Sequence, residues 1–361
     1  MAEKSRQTSG KAESHRSTEM RMRGAHMVGL LPGCVFFVLF YLYLWRYVDL
    51  RLIYHGGGSV TNFPNFFRGW EFLRETAGRP GGLTEYACAF LAQWFKIPWV
   101  GAAIVTVQTW LICTCIGYFL KASGLRRWRW TRWIPAMLML AVYGRYTYHF
   151  TSAMALTLAL LFACIYVRAT KTARIGPGVM TLRSCLWPLI VFVVLLVTLY
   201  TLAAGGYVVF VVLCTVYEML FKRRAYALLY IPITIALVYI EGVLVFNISM
   251  IDAFGDLTPY SWKVTTYRER RRGLTLLQLL YLSAPVVVLI GGLWGRLGEK
   301  LVSRKQHTEA EKQQDSTGLW QRLVRGYNSH PILVFAGRCV VLIGVAGGVA
   351  RVSLDHERRA L

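Results

Sequence analysis

The chain has 361 residues, 55% hydrophobic and 16% charged, and its 41 Lys and Arg against 18 Asp and Glu give a formal net charge of +23. That balance is too apolar for an ordinary water-soluble globule. The basic residues fall in short clusters between apolar runs rather than on one amphipathic face, which argues against a nucleic-acid partner. None of the 8 cysteines forms a CxxC pair, so they read as small buried hydrophobes; Cys113 and Cys115, two apart, point to different faces of a helix.

Residues 1–26 are polar, carry Lys4, Arg6, Lys11, Arg16, Arg21 and Arg23, and cannot bury enough apolar surface to fold alone, so they read as a disordered cytoplasmic tail. A first span follows from Met27 to Arg46. It is retained rather than cleaved because no small-residue cleavage site follows it, and Trp45 and Tyr47 mark its far interface.

The mixed segment 48–98 is expected outside. Between Pro64 and Glu75, the residues Phe66, Phe67, Trp70 and Leu73 share one helical face opposite Asn65, Arg68, Glu71 and Arg74, the pattern of a helix lying on a membrane surface. The glycines of 78–82 break it. Thr84 is expected to cap a second helix with Glu85 in its first turn, on which Tyr86, Phe90 and Trp94 align beside Ala87, Leu91 and Phe95.

Further apolar runs occupy Trp99 to Leu120, Trp133 to Gly144, Tyr148 to Val167, Cys185 to Ala204, Tyr207 to Phe221, Tyr226 to Asn247, Leu274 to Trp294 and Pro331 to Ala350. Most approach the roughly 20 residues that cross a hydrocarbon core as a helix. The run from Trp133 is short. Counting it as a crossing puts the clusters Lys121 to Arg132, Arg168 to Arg183, Lys222 to Arg224 and the linker 297–330 on the cytoplasmic side with the tail, as basic loops prefer. The segment Gly298 to Ser316 reads as a solvated or partly helical hinge.

The expected fold is therefore all-α: a transmembrane bundle of nine spans over 27–350, N-terminus cytoplasmic, with amphipathic interfacial helices in the first external loop. Residues 351–361 fall outside and resemble the opening of a polar helix, so a longer protein continuing into an external helical domain is expected. No internal repeat is visible.

The stretch Leu52-Ile53-Tyr54-His55, then Pro80-Gly81-Gly82-Leu83-Thr84-Glu85-Tyr86, then Phe90-Leu91-Ala92-Gln93-Trp94-Phe95 and Pro98-Trp99-Val100-Gly101-Ala102 resembles an uncharacterised bacterial family of multi-pass membrane proteins of unknown function. The resemblance covers the first third of the chain and implies the bacterial cytoplasmic (inner) membrane. More loosely, the architecture is similar to integral membrane glycosyltransferases that use lipid-linked sugars, in which a long first external loop supplies acidic residues. Asp49 sits where such enzymes carry a carboxylate; the paired acidic signature of several branches is absent.

Asp49 and Glu85 are the candidate catalytic residues. Asp49 fits a general base or a ligand for a divalent cation against a donor phosphate, and equally an interfacial charge beside Arg46 and Arg51. Glu85 is also explained by first-turn stabilisation. Arg145 and His149, which share a face if one helix runs through both, suit an anionic phosphate, as do Arg268, Arg270, Arg271 and Arg272 before the eighth span, with Asp252 and Asp256 nearby for a metal; snorkelling and headgroup anchoring are the plainer readings.

Glu241 lies within an apolar stretch where a lone carboxylate is expensive, and Arg338 in the ninth span is its candidate intramembrane counter-ion. Glu218 reads as a local pair with Lys222 or Arg223. No Walker A loop, HExxH, GxSxG elbow or metal-spaced Cys/His set is present. The leading expectation is a glycosyltransferase-like protein acting on lipid-linked sugars or anionic lipids at the outer membrane face. A transporter, or a non-catalytic membrane anchor for an external domain, is the alternative.

Overall fold

The computed structural model describes residues 32–52, 66–145, 149–172, 182–255, 258–259 and 275–311. Outside them lie Asp256, Arg268, Arg270, Arg271, Arg272 and Arg338, the ninth expected span, and both terminal tails. The described residues are mostly helical, with no strand among them. The chain divides into two units, Met1–Asp49 and Leu50–Leu361.

The first unit contributes helix α1, Pro32–Tyr47. Its aromatic residues pair one turn apart, Tyr41 stacking on Trp45 at 6.2 Å and Tyr43 against Tyr47 at 5.3 Å, contacts of the kind that support a helix from its own surface.

In the second unit, α2 (Trp70–Ala77) and α3 (Gly82–Ala92) form a short hairpin. The first loop helix starts at Trp70, not near Pro64: Gly69 is extended, and Phe66 lies outside the helix with its ring 5.8 Å from Phe72, 5.2 Å from Tyr86 and 5.4 Å from Phe90. Of the aromatic side chains expected to face a membrane side by side, Phe66 instead bridges the two helices, while Phe67 and Trp70 stay exposed. Gly81, at φ 75°, takes the left-handed turn that reverses the chain. Gly82 lies so close to the end of α2 that an added Cβ would stand 1.7 Å from the Thr76 carbonyl oxygen.

Helix α4 (Pro98–Ala122) follows, with proline in its first turn where no amide hydrogen is needed. After a 3-10 segment at Arg126–Trp133 come α5 (Ile134–Tyr143), α6 (Phe150–Thr172), α7 (Leu182–Ala203), α8 (Tyr207–Val216), α9 (Tyr230–Tyr239), the short α10 (Met250–Gly255) and α11 (Leu276–Glu311). The expected hinge from Gly298 is thus helical as far as Glu311.

Ring contacts fix the directions. Phe95 meets Phe150 at 5.5 Å and Cys164 Sγ lies 3.3 Å from the Cys115 carbonyl, so α4 and α6 run parallel. Phe192 and Phe210 would be about 27 Å apart along one straight helix; their rings stack at 5.6 Å. The apolar stretch Leu186–Phe221 is therefore a hairpin of α7 and α8, turned at Ala204 (φ 35°) and at Gly206, which has the Ala155 carbonyl oxygen 2.6 Å from where a Cβ would sit. Gly291 and Gly292 of α11 likewise lie against Leu125 and Leu220, at 2.9 and 2.8 Å from their ideal Cβ positions.

These contacts sort the loops into two ends. Phe119 meets Tyr217 at 5.9 Å, and with the Leu125 and Leu220 contacts this gathers the ends of α4, α8 and the later part of α11 together with the 3-10 segment. Lys121, Arg129, Arg132 and Lys222 to Arg224 belong to that basic end. At the other end Phe95, Phe150, Tyr200, Tyr207 and Ala253 converge.

Candidate functional site

At the end opposite the basic one, the α2–α3 hairpin hangs on the last turn of α7. Gly81 donates its amide hydrogen to the Thr201 carbonyl at 3.1 Å, and Thr84 donates its hydroxyl to the Leu202 carbonyl at 2.6 Å. Thr84 is not the expected cap; Gly81 precedes the helix, and the threonine satisfies a carbonyl that a helix terminus leaves without an intrahelical partner. Glu85 lies in the first turn of α3, as expected, and forms an ion pair with Arg79.

One face of α3 is buried through Cys88, Ala89 and Ala92 against α6 and α7. The Cys88 thiol bonds Thr151 of α6, lies within electrostatic reach of Glu85, and is pushed well above the ordinary thiol range by burial. Tyr143, the last residue of α5, is fully buried and within electrostatic reach of the same thiol. Its hydroxyl is sealed from solvent with no hydrogen-bond partner among the described residues, a state that costs about 1–3 kcal/mol and in native proteins usually marks a water or ligand position.

Arg145 and His149 do not share one helix, because α5 ends at Tyr143, where Gly144 donates to the Leu140 carbonyl at 2.9 Å, and α6 begins at Phe150. Both nonetheless lie close to Tyr143 and Thr151 in sequence, and Arg145 Nε and His149 Nδ1 are sealed from solvent. The His149 carbonyl accepts the Ala153 amide at 3.0 Å, so this histidine opens α6. Of the residues expected from the sequence, Glu85 lies within electrostatic reach of Cys88, while Arg145 and His149 each stand two residues in sequence from a neighbour of that thiol, Tyr143 and Thr151. Asp49 closes the first unit and is half-buried. Asp252 accepts the Ser249 hydroxyl at 3.0 Å and returns its amide to Ser249 Oγ at 3.2 Å, a reciprocal cap on α10.

A second polar cluster, deeper and at the basic end, was not visible as such in the sequence. Glu218 is completely buried and accepts hydrogen bonds from the Tyr166 hydroxyl at 3.1 Å and from Arg224 Nη1 at 3.2 Å. Tyr166 is in turn 2.8 Å from the Tyr230 hydroxyl, and Arg224 donates to Tyr226 at 3.0 Å. The ionic partner of Glu218 is therefore Arg224 rather than Lys222 or Arg223. It is reached because residues 217–221 form a π-turn and Arg223 takes a left-handed φ of 56°. Glu241 also sits on a π-turn, Ile240–Val245, half-buried; its carbonyl accepts the Phe246 amide at 2.9 Å, and its carboxylate has no hydrogen bond or ion pair among the described residues.

Around this interior the helices turn apolar side chains outward, among them Val107 and Trp110 of α4, Ile165 of α6, Val194 of α7, Ile235 of α9 and Ile290 of α11. Broad exposed apolar surface of this kind belongs against lipid or a partner. The class is accordingly a helical protein with, among the described residues, five apolar helical stretches long enough to cross a membrane, Pro98–Ala122, Phe150–Lys171, Leu186–Phe221, Ala225–Val245 and Leu276–Trp294, the third of them being the α7–α8 hairpin. The chain belongs to a family of unknown function (DUF6057), which matches residues 25–339. No curated protein and no solved structure matches it.

Proposed function

We propose that this is a multi-pass membrane protein whose α3 end binds a phosphate-bearing, lipid-linked substrate at the outer face of a bacterial cytoplasmic membrane, with glycosyltransferase-like chemistry. The observation that carries the reading is the docking of Gly81 and Thr84 on α7, together with the Cys88 to Thr151 bond, which joins Glu85 to the helix ends that bear Arg145 and His149. The gathering of basic loops at the opposite end supports nine spans with the N-terminus in the cytoplasm.

In this reading Arg145 offers a planar fork to the donor phosphate and His149 a second hydrogen bond. Arg268, Arg270, Arg271 and Arg272, which the sequence puts before the eighth span, are the further phosphate ligands of this reading. Glu85, released from Arg79, takes the proton of an acceptor hydroxyl while the bond from sugar carbon to phosphate oxygen breaks and the bond from that carbon to the acceptor oxygen forms. Asp49, at the end of the first unit, is a separate candidate, as a ligand for the divalent cation this chemistry would recruit. The test is complementation of a gene deletion with Glu85→Gln, Asp49→Asn and Arg145→Ala, expression verified, and lipid-linked sugars and envelope glycans profiled by mass spectrometry. Accumulated lipid-linked donor in the variants is expected; an unchanged glycan profile in the deletion itself refutes the reading.

A transporter is the second reading, favoured by the two carboxylates on π-turns, since such turns recur at functional sites within helices. Under it, with Arg338 as the intramembrane partner of Glu241, Glu241→Gln abolishes function while Glu85→Gln and Arg145→Ala leave it intact.

A further inference from the structure

At the basic end, residues 126–133 read Arg-Arg-Trp-Arg-Trp-Thr-Arg-Trp and fold as a 3-10 segment packed against α4, α5 and α11. Buried Thr131 donates its hydroxyl to the Trp128 carbonyl at 2.6 Å and closes the turn. Trp128, Trp130 and Trp133 are half-buried and Arg129 is exposed. Arg132 is laid across α4 at Gly117, whose added Cβ would stand 3.3 Å from the arginine Cδ, and its guanidinium lies 4.6 Å from the Trp133 ring centre.

Among the described residues neither Arg129 nor Arg132 has a carboxylate partner. Burial, and then the charge of Arg129, hold the Arg132 guanidinium below its usual range. Two like charges held near each other, one of them half withdrawn from water, are stabilised by an anion placed between them. Half-buried tryptophans around them are the residues that favour the headgroup level of a bilayer. A path for acyl chains starts at the same point, because Val107, Trp110, Leu111 and Tyr118 form an exposed stripe of α4 that ends beside Gly117.

We propose that the Arg129 and Arg132 turn is a binding site for the phosphate of an anionic phospholipid, with its acyl chains along the exposed stripe of α4. The arginine fork on phosphate distinguishes this site from the diffuse attraction of the other basic loops. The inference rests on the multi-pass reading but not on the chemistry at the α3 end.

The experiment is native mass spectrometry of the full chain, released from membranes in detergent and titrated with phosphatidylglycerol or phosphatidylcholine. Wild type, Arg129→Gln/Arg132→Gln and the charge-matched control Lys171→Gln/Lys222→Gln are compared. Preference for phosphatidylglycerol in the wild type is expected to fall on the order of 30-fold in the double variant, the loss of one net hydrogen bond of about 1 kcal/mol from each arginine to phosphate, and clearly less in the control, whose lysines act only through the diffuse field. Arg129→Gln alone, at an exposed position, is expected to lose roughly 5-fold on the same scale, and decides the matter if the double variant does not fold. Equal losses in control and double variant, or no loss at Arg129, overturn the site. Displacement of the lipid by millimolar glycerol phosphate overturns the lipid as its ligand. Protein that leaves the membrane in a carbonate wash refutes the multi-pass reading instead.

Discussion

Replacing Arg224 by Ala removes the ionic partner of a carboxylate that water does not reach. The side chain of Glu218 is 0% exposed and that of Arg224 31%, with 3.2 Å between Nη1 and Oε2. At that separation the attraction is about 5 kcal/mol with an effective dielectric near 20, and loss of one member of a buried pair generally costs about 3–5 kcal/mol. Because a third of the arginine side chain already meets solvent, the lower end, about 3 kcal/mol, is the expected loss.

The turn itself survives, since the amide of residue 224 still donates to the Glu218 carbonyl, at 3.0 Å in the parent. The decisive arm is the double variant: Glu218→Gln in the Arg224→Ala chain removes the stranded charge while keeping an acceptor for Tyr166, and should restore about 2 kcal/mol. Glu218→Gln alone should cost about 1 kcal/mol, because the arginine it leaves can turn to water. Unfolding by sodium dodecyl sulfate in mixed micelles, followed by tryptophan fluorescence, measures all four corners of the cycle. Strictly additive losses, or a single Arg224→Ala loss below about 0.5 kcal/mol, would refute the claim that the pair acts as a unit.

Gly82→Ala should separate the α2–α3 hairpin, since the atoms it meets are the Thr76 carbonyl oxygen and carbon at 1.7 and 2.6 Å; a backbone clash exceeds the about 1–3 kcal/mol typical of overpacking, and limited proteolysis should cleave near residues 78–82 in the variant but not the parent. Tyr143→Phe removes a buried hydroxyl with no partner among the described residues and should raise stability by about 1 kcal/mol. If that hydroxyl serves a ligand, the same variant loses complementation; loss of stability instead would show that the hydroxyl is satisfied within the fold.

Much of the architecture was legible because periodicity and length report directly on burial in an apolar solvent. The break between α7 and α8 was readable from Gly205 and Gly206, and the start of α4 from Pro98. The short run ending at Tyr143 was readable as a helix, and Cys113 and Cys115 face different neighbours, Ala136 of α5 and Cys164 of α6, as their spacing implies. Thr84 misled because a threonine beside a helix start is locally a good cap, whereas its partner Leu202 lies 118 residues away. Glu218 and Arg224 are six residues apart, a spacing that brings no pair together on a regular α-helix; only the π-turn and the left-handed Arg223 do so. Glu85, Arg145 and His149 were each legible singly, but the meeting of Cys88 with Thr151 depends on how α3 packs on α6, which no local pattern encodes.

The hydrogen bond from Thr84 to Leu202 also imposes an order on biogenesis. A ribosome adding roughly 5–20 residues per second emits Thr84 on the order of ten seconds before the carbonyl that will hold it. Through that interval the loop hairpin is outside its final seat, while three further helices are delivered to the membrane. Its glycine turn and aromatic cluster can form early, but the hairpin takes its final seat only when the last turn of α7 arrives, so a chain stalled before that turn carries Gly81 and Thr84 without the Thr201 and Leu202 carbonyls that hold them.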